Sequence, residues 1–339
     1  MNIQKEVVPS PSVEKLMIKL GGDCNLKCKH CHCSIPEYKY NPDIIRWIKG
    51  CNNLRSINFN GGEPLLYLDT IKEIVSHLSF YKYMFKTVTN GTLLDMDTID
   101  FFNDNFFNVV ISFDGKESGR DSAYLPRWEL ARYLRSLSFS CYTSGSLSVK
   151  DIQKDVDTLI KDYHLRNVCN DGSICANFIH EIENADVART QEDVEKYLSS
   201  MQETIEEQLQ YYLKDNYFID KFTLNRSLQK WYFPKTSIYG VSCACSKVVT
   251  LTLDGRFLGC PYTNEYYGDI YTGFNVEKLE KQVPDKCKRC KIFNVCRNTC
   301  FKNITNHECI IAKRMYAFFK NLEKKYSVKF NEIFEKEYV

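Results

Sequence analysis

Three cysteines, Cys24, Cys28 and Cys31, stand in a C-x3-C-x2-C pattern inside the segment GGDCNLKCKHCHC. Three thiolates on one short loop can hold three irons of a 4Fe–4S cube and leave the fourth iron open to a small chelating ligand. Buried or zinc-binding thiols are the alternative, since this spacing alone arises by chance with a probability of about 0.03 at this cysteine frequency. A second set of eight cysteines runs from Cys243 to Cys309. There Cys245 and Cys260 flank Gly255, and Cys287-x2-Cys290-x5-Cys296-x3-Cys300 precedes Cys309. A run of four at one fixed spacing has a chance probability of about 0.002, so this region is built to bind metal. Paired zinc knuckles compete with iron–sulfur clusters there, because Cys-x2-Cys ligates either metal. Cys33, Cys51, Cys141, Cys169 and Cys175 show no ligand spacing and read as idle or core thiols.

Sixteen cysteines in 339 residues would suggest disulfides in a small secreted domain. This chain is long and shows no export signal, so its thiols are expected to ligate metal or do chemistry in a reducing cytoplasm. A formal net charge of +2 selects neither nucleic acid nor an anionic membrane, and no basic stripe interleaved with aromatics appears. No stretch is apolar enough for a membrane helix.

Strands alternate with helices through the first half. Lys15–Leu20, Ser56–Phe59, Lys86–Thr89, Val109–Phe113, Phe139–Tyr142 and Ile174–Ile179 read as strands. Leu68–Leu78, Thr98–Asn103, Pro126–Leu137 and Lys150–Asp162 read as helices between them. Six such units predict an α/β fold with an open, partial (β/α)6 barrel. A polar helix starts at Thr190, with Asp193 in the capping-box place. A cysteine-rich α+β segment follows, and a final helix carries the stripe Ile311, Met315, Phe318, Phe319 and Leu322. The expected division is an N-terminal extension 1–12, a barrel 13–185, a helical connector 186–238, a cysteine-rich domain 239–312 and a C-terminal helix 313–339.

The motifs sit at strand ends. Cys24–Cys31 follows strand one, Asn60-Gly61-Gly62-Glu63-Pro64 strand two, Thr89-Asn90-Gly91 strand three, and Ser112-Phe113-Asp114-Gly115 strand four. Together these resemble the radical S-adenosylmethionine (SAM) superfamily. The resemblance implies that Cys24, Cys28 and Cys31 ligate a SAM-cleaving cluster and that the backbone of His30 lies near the adenine. It implies that Gly61, Gly62 and Glu63 hold the methionine end. Ser112, Asn90 and Asp114 would line the SAM site, with Arg120 or Arg127 pairing the SAM carboxylate. The second cysteine set resembles the SPASM extension of these enzymes, which implies two auxiliary 4Fe–4S clusters and three in all. By that analogy Cys245, Cys260 and Cys300, with Cys243, hold one, and Cys287, Cys290, Cys296 and Cys309 hold the other. The tight spacing of Cys243 to Cys245 leaves an open iron as the alternative.

The family resemblance implies reductive cleavage of SAM to a 5′-deoxyadenosyl radical and hydrogen abstraction from a ribosomally made precursor peptide. A thioether or carbon–carbon crosslink is the favoured product, with epimerisation next. A flavodoxin or ferredoxin would donate electrons. Sulfatase maturation fits less well, because Pro261 and Tyr262 stand where those enzymes place an acidic base. Tyr262 is a candidate proton acceptor, or a structural tyrosine. Fourteen residues before Lys15 are too few for a winged-helix leader-binding domain, so the core or a separate leader-binding protein would hold the leader. A radical SAM dehydrogenase acting on a small molecule or protein side chain is the alternative enzyme. A zinc-stabilised binding protein is the alternative outside enzymes.

Overall fold

The computed structural model describes residues 5–10, 12–28, 31, 36–115, 120–121, 123–143, 149–165, 174–178, 190–215, 224, 227–228, 232–233, 248–259, 265–275, 278, 285–296 and 306–335. Six strands, β1 (Lys15–Lys19), β2 (Ser56–Asn60), β3 (Met84–Thr89), β4 (Asn108–Ser112), β5 (Leu137–Thr143) and β6 (Ile174–Phe178), lie side by side in chain order. Every pair among them is parallel. Sequential order without a reversal is barrel topology, since doubly wound sheets turn back at a switch point.

Helices α1 (Asp43–Gly50), α2 (Leu68–Ser76), α3 (Met96–Asp104), α4 (Trp128–Ala131) and α5 (Val149–Asp162) connect the strands. Their apolar faces meet one side of the sheet. Leu16, Ile18, Ile57, Phe59, Phe85, Val109, Ile111 and Phe139 share a core with Ile44, Trp47, Ile71, Ile74, Ile99, Phe102 and Val156. Because side chains alternate along a strand, the register-matched partners Met17, Asn58, Lys86 and Asn108 occupy the other, concave side. Closed barrels fill that side with Val, Ile and Leu. Here it is largely polar.

The sheet continues beyond β1. Strand β7 (Val248–Thr252) pairs parallel with β1, and β8 (Arg256–Leu258), β9 (Tyr266–Asp269) and β10 (Gly273–Phe274) add antiparallel strands outside it. Val249, Leu251, Leu253, Phe257 and Ile270 join the barrel core. The cysteine-rich segment therefore shares a sheet and a core with the barrel. Downstream come α7 (Asp285–Lys288), α8 (Asn306–Tyr326) and α9 (Phe330–Glu335).

A second core forms where α6 (Gln191–Asp215) meets α8. Val194, Leu198, Met201, Ile205 and Leu209 pack with Ile311, Met315, Phe319 and Leu322, and Phe318 is partly buried beside them. The capping box of α6 is formed in both directions: Asp193 N–H donates to Thr190 Oγ1 (3.1 Å) and Thr190 N–H to Asp193 Oδ2 (2.9 Å).

The stretch expected as one helix over Pro126–Leu137 is instead the four-residue α4, and Leu137 begins β5. The competing interaction is with the end of α3. Asn103 Nδ2 donates to the Tyr133 carbonyl (2.9 Å), and Arg135 N–H donates to Asn103 Oδ1 (2.8 Å). Those bonds take backbone groups that a continuing helix would use.

Candidate functional site

All four motif loops leave the C-terminal ends of neighbouring parallel strands, so they meet at one edge of the sheet. The cysteine loop is laced to the loop after β2 by backbone bonds. Leu20 N–H donates to Asn60 O (2.8 Å), Gly62 N–H to Gly21 O (2.9 Å) and Glu63 N–H to Asp23 O (2.8 Å). Gly62 is required here by proximity, since a Cβ on it would stand 2.2 Å from the Asp23 carbonyl oxygen.

Glu63 is buried and caps the short 3-10 turn Pro64–Tyr67. Its Oε1 accepts from Leu65 N–H (3.0 Å) and Thr89 Oγ1 (2.6 Å), and Oε2 accepts from Asn90 N–H (2.8 Å). Burial pushes its carboxyl above the ordinary range, and these donors and the more distant charge of Arg120 only partly oppose that. A cation placed beside this carboxyl would favour its charged form.

The loop after β3 grips the cysteine loop from the other side. Asn90 Nδ2 donates to Asn25 Oδ1 (2.9 Å) and lies 4.0 Å from Cys24 Sγ, while Asn25 Nδ2 donates to Thr92 Oγ1 (2.8 Å). Gly91 makes the turn at φ +75, where a Cβ is disfavoured.

The loop after β4 supplies the cation. Arg120 Nε stands 2.8 Å from Asp114 Oδ2, both side chains being under a tenth exposed. Its guanidinium lies 4.9 Å from the centre of the Tyr124 ring, and the Tyr124 hydroxyl donates to the Ser112 carbonyl. Burial opposes the charged guanidinium, but Asp114 and Tyr124 outweigh it and keep Arg120 protonated. Asp121 Oδ2 then accepts from Lys27 N–H (2.6 Å), tying this loop to the cysteine loop. Arg127 is exposed and contributes its backbone N–H to Gly91 O (3.1 Å).

Cys24 and Cys31 are exposed and Cys28 is partly buried, and Cys31 N–H donates to Cys28 O (3.0 Å) in a tight turn. Although Cys24 as a whole is exposed, partial desolvation of its sulfur pushes the thiol up; the Leu26 N–H opposes this, and Glu63, Cys31 and Cys28 add smaller contributions in the upward direction. Three thiols close enough to repel as anions are a donor set that suits an iron–sulfur cluster. Among the described residues no three His, Cys, Asp or Glu side chains converge tightly enough for a single ion. The thiols of a cube bind separate irons at its corners and need not converge so far.

The structure therefore brings together Cys24, Cys28, Cys31, Gly61, Gly62, Glu63, Asn90, Ser112, Asp114 and Arg120, and leaves Arg127 outside the cluster. Cys287 and Cys290 share one turn, with Cys290 N–H donating to Cys287 O (3.0 Å). Cys296 closes the next turn onto Ile292 O (2.7 Å), and Cys309 lies in the first turns of α8. His30, Cys33, Cys169, Cys243, Cys245, Cys260, Tyr262 and Cys300 lie outside the described residues. Cys51 is a buried core thiol, its pKa pushed up to about 11 by burial. Asn25, Thr92, Asp121 and Tyr124 are site residues that sequence reasoning missed. Thr92 and Asp121 sit beside motif residues, which is a signal; Tyr124 carries none.

No family model matches the chain. It is 21% identical over 353 residues to the cysteine-type anaerobic sulfatase-maturating enzyme of Clostridium perfringens, covering 86% of this chain and 89% of that protein. An uncharacterized protein of Methanocaldococcus jannaschii is 28% identical over 114 residues, which is 31% of this chain and 40% of that protein. Among solved structures, anSMEcpe with bound AdoMet and the Cp18Cys peptide matches with a TM-score of 0.65 at 22% identity, over 93% of this chain and 99% of that one. SuiB of Streptococcus suis, bound to its precursor peptide SuiA, matches with a TM-score of 0.58 at 16% identity, over 87% of this chain and 72% of that one. No described helix is long and apolar enough to cross a membrane. The fold of this chain is that of anSMEcpe and SuiB.

Proposed function

We propose that the protein is a radical SAM enzyme that modifies a ribosomally made peptide in the cytoplasm. The observation that carries this reading is the convergence of Cys24, Cys28 and Cys31 with Glu63, Asn90 and the buried Asp114–Arg120 pair at one sheet edge. When bound at the three thiols, a 4Fe–4S cluster supplies the electron that splits SAM into methionine and a 5′-deoxyadenosyl radical.

The chain's own residues position the reactants. Glu63 offers a buried anion to the SAM ammonium, and Arg120 offers a buried cation to its carboxylate. Arg120 is preferred over the exposed Arg127 for that role because its guanidinium is already desolvated and fixed by Asp114 and Tyr124. Ser112 and Asn90 line the same edge. The polar concave side, with Asn58, Lys86 and Asn108, accommodates a hydrated peptide better than an apolar ligand. Cys287, Cys290, Cys296 and Cys309 are read as ligands of one auxiliary cluster, and Cys243, Cys245, Cys260 and Cys300 as those of a second. A crosslink is the favoured product, with a flavodoxin or ferredoxin as electron donor.

The full-length similarity to a sulfatase-maturating enzyme supports a second reading, oxidation of a protein side chain. Pro261 and Tyr262 weigh against it. Metal analysis of anaerobically purified protein tests the cluster content: about twelve irons per chain are expected from three cubes. Stoichiometric zinc with little iron would overturn the reading.

A further inference from the structure

The segment Asp285–Cys290 places three of its four exposed or partly exposed charges of one sign beside ligand cysteines. Its sequence, DKCKRCK through Lys291, interleaves Lys286, Lys288, Arg289 and Lys291 with Cys287 and Cys290. All four cations are exposed, and both cysteines are only partly buried. A single acid, Asp285, opposes them, 3.5 Å from Lys288 in a pair more than half exposed on both sides. Such a pair contributes little and is screened by water and salt. Among the described residues Lys286, Arg289 and Lys291 meet no acidic side chain, and Arg289 Nε instead reaches the Asp285 carbonyl at 3.4 Å.

This concentration differs from the rest of the surface. The long helices neutralise their charges across the interface: Lys150 meets Glu203 and Glu207, Arg314 meets Glu195, and Lys325 meets Glu206. With a whole-chain net charge of only +2, four cations in six residues form a local positive field rather than a share of a general one. A field of one sign around thiols near the surface recruits a partner of the other sign to that spot, and it does so chiefly through association rate and orientation.

We propose that Lys286, Lys288, Arg289 and Lys291 form the docking surface for an acidic protein electron carrier, seated over the group held by Cys287 and Cys290. This rests on reading those cysteines as cluster ligands. An electron carrier must bring its own redox centre close to its partner's, and this is where the described ligand thiols and the uncompensated positive charge coincide.

Binding of an acidic flavodoxin to the iron-loaded, full-length protein tests this, with flavin fluorescence anisotropy read at low and high salt. Wild type is expected to bind with strong salt dependence. Lys286→Glu, Lys288→Glu, Arg289→Glu and Lys291→Glu together should weaken binding at low salt by about tenfold or more. The matching Gln substitutions should give an intermediate loss and a shallower salt dependence. Reversal of two exposed lysines on α5, Lys154→Glu and Lys161→Glu, should leave affinity near wild type. Full-strength carrier binding in the fourfold variant, an equal loss in the α5 control, or capture of a short duplex DNA in preference to flavodoxin would each overturn the proposal. Iron content is measured first on every protein. Iron-free wild type would defeat the cluster reading, whereas iron-loaded wild type that ignores flavodoxin would defeat only the docking surface.

Discussion

On the proposed reading, Glu63 serves the scaffold and the ligand together. Its carboxylate accepts three donors from two loops, so it joins the turn after β2 to the turn after β3. Replacement with Ala would leave three buried donors without an acceptor, at about 3 kcal/mol in all once water partly refills the space. Glu63→Gln keeps an acceptor oxygen but loses the charge. The two variants should therefore separate. Glu63→Ala is expected to lower the melting temperature and SAM affinity together, while Glu63→Gln lowers SAM affinity roughly tenfold with a smaller thermal effect. Calorimetry on both proteins checks this, and equal SAM affinity in Glu63→Gln and wild type would remove the carboxylate from the ligand's electrostatics. The GGEP segment announced the residue, but its neighbours Thr89 and Asn90 become its partners only when β2 and β3 pair.

At the level of elements, the strand–helix alternation was readable because runs such as β3 and β4 are β-branched and aromatic and are bounded by Asn or Gly. The last helix was readable too: Ile311, Met315, Phe319 and Leu322 are all buried in the second core. What the pattern did not carry was long-range pairing. Nothing local in Val248–Thr252 says that it will lie parallel to β1, more than two hundred residues earlier. The end of α4 was lost for the same reason, since Asn103 on another element decides it. Local caps, by contrast, act alone and can be tested alone. Asp95 caps α3 by accepting from Thr98 N–H (2.8 Å), and hydrogen bonding from the Thr98 side chain first, and from this N–H second, holds its carboxyl below the usual 3.8. A carboxyl lowered in the folded state stabilises above its unfolded value and loses that contribution as pH falls through the folded one. Asp95→Ala should cost about 1 kcal/mol at neutral pH. The difference from wild type should shrink below about pH 4, which denaturant titrations at two pH values would show. A constant difference across that range would mean that the charge plays no part in the cap.

On the scale of the whole molecule, one sheet carries the first cysteine loop and the strands that precede Cys287 to Cys309. The loop follows β1, and the β7 pairing brings those strands against that same β1. Sequence spacing alone identified the two cysteine regions, while this common sheet required the fold. The distinct second core between α6 and α8 stands on its own apolar set, so the site edge is held by the barrel core instead. The account predicts a division of labour between the regions. The measurement that tests its central claim most directly is 5′-deoxyadenosine release from SAM by the reduced, iron-loaded protein. Wild type should release it, and a variant with Cys24, Cys28 and Cys31 all changed to Ala should release none. A variant with Cys290→Ala and Cys296→Ala, folded by circular dichroism, should still release it. Release that persists without Cys24, Cys28 and Cys31, or its absence from iron-loaded wild type, would contradict the account.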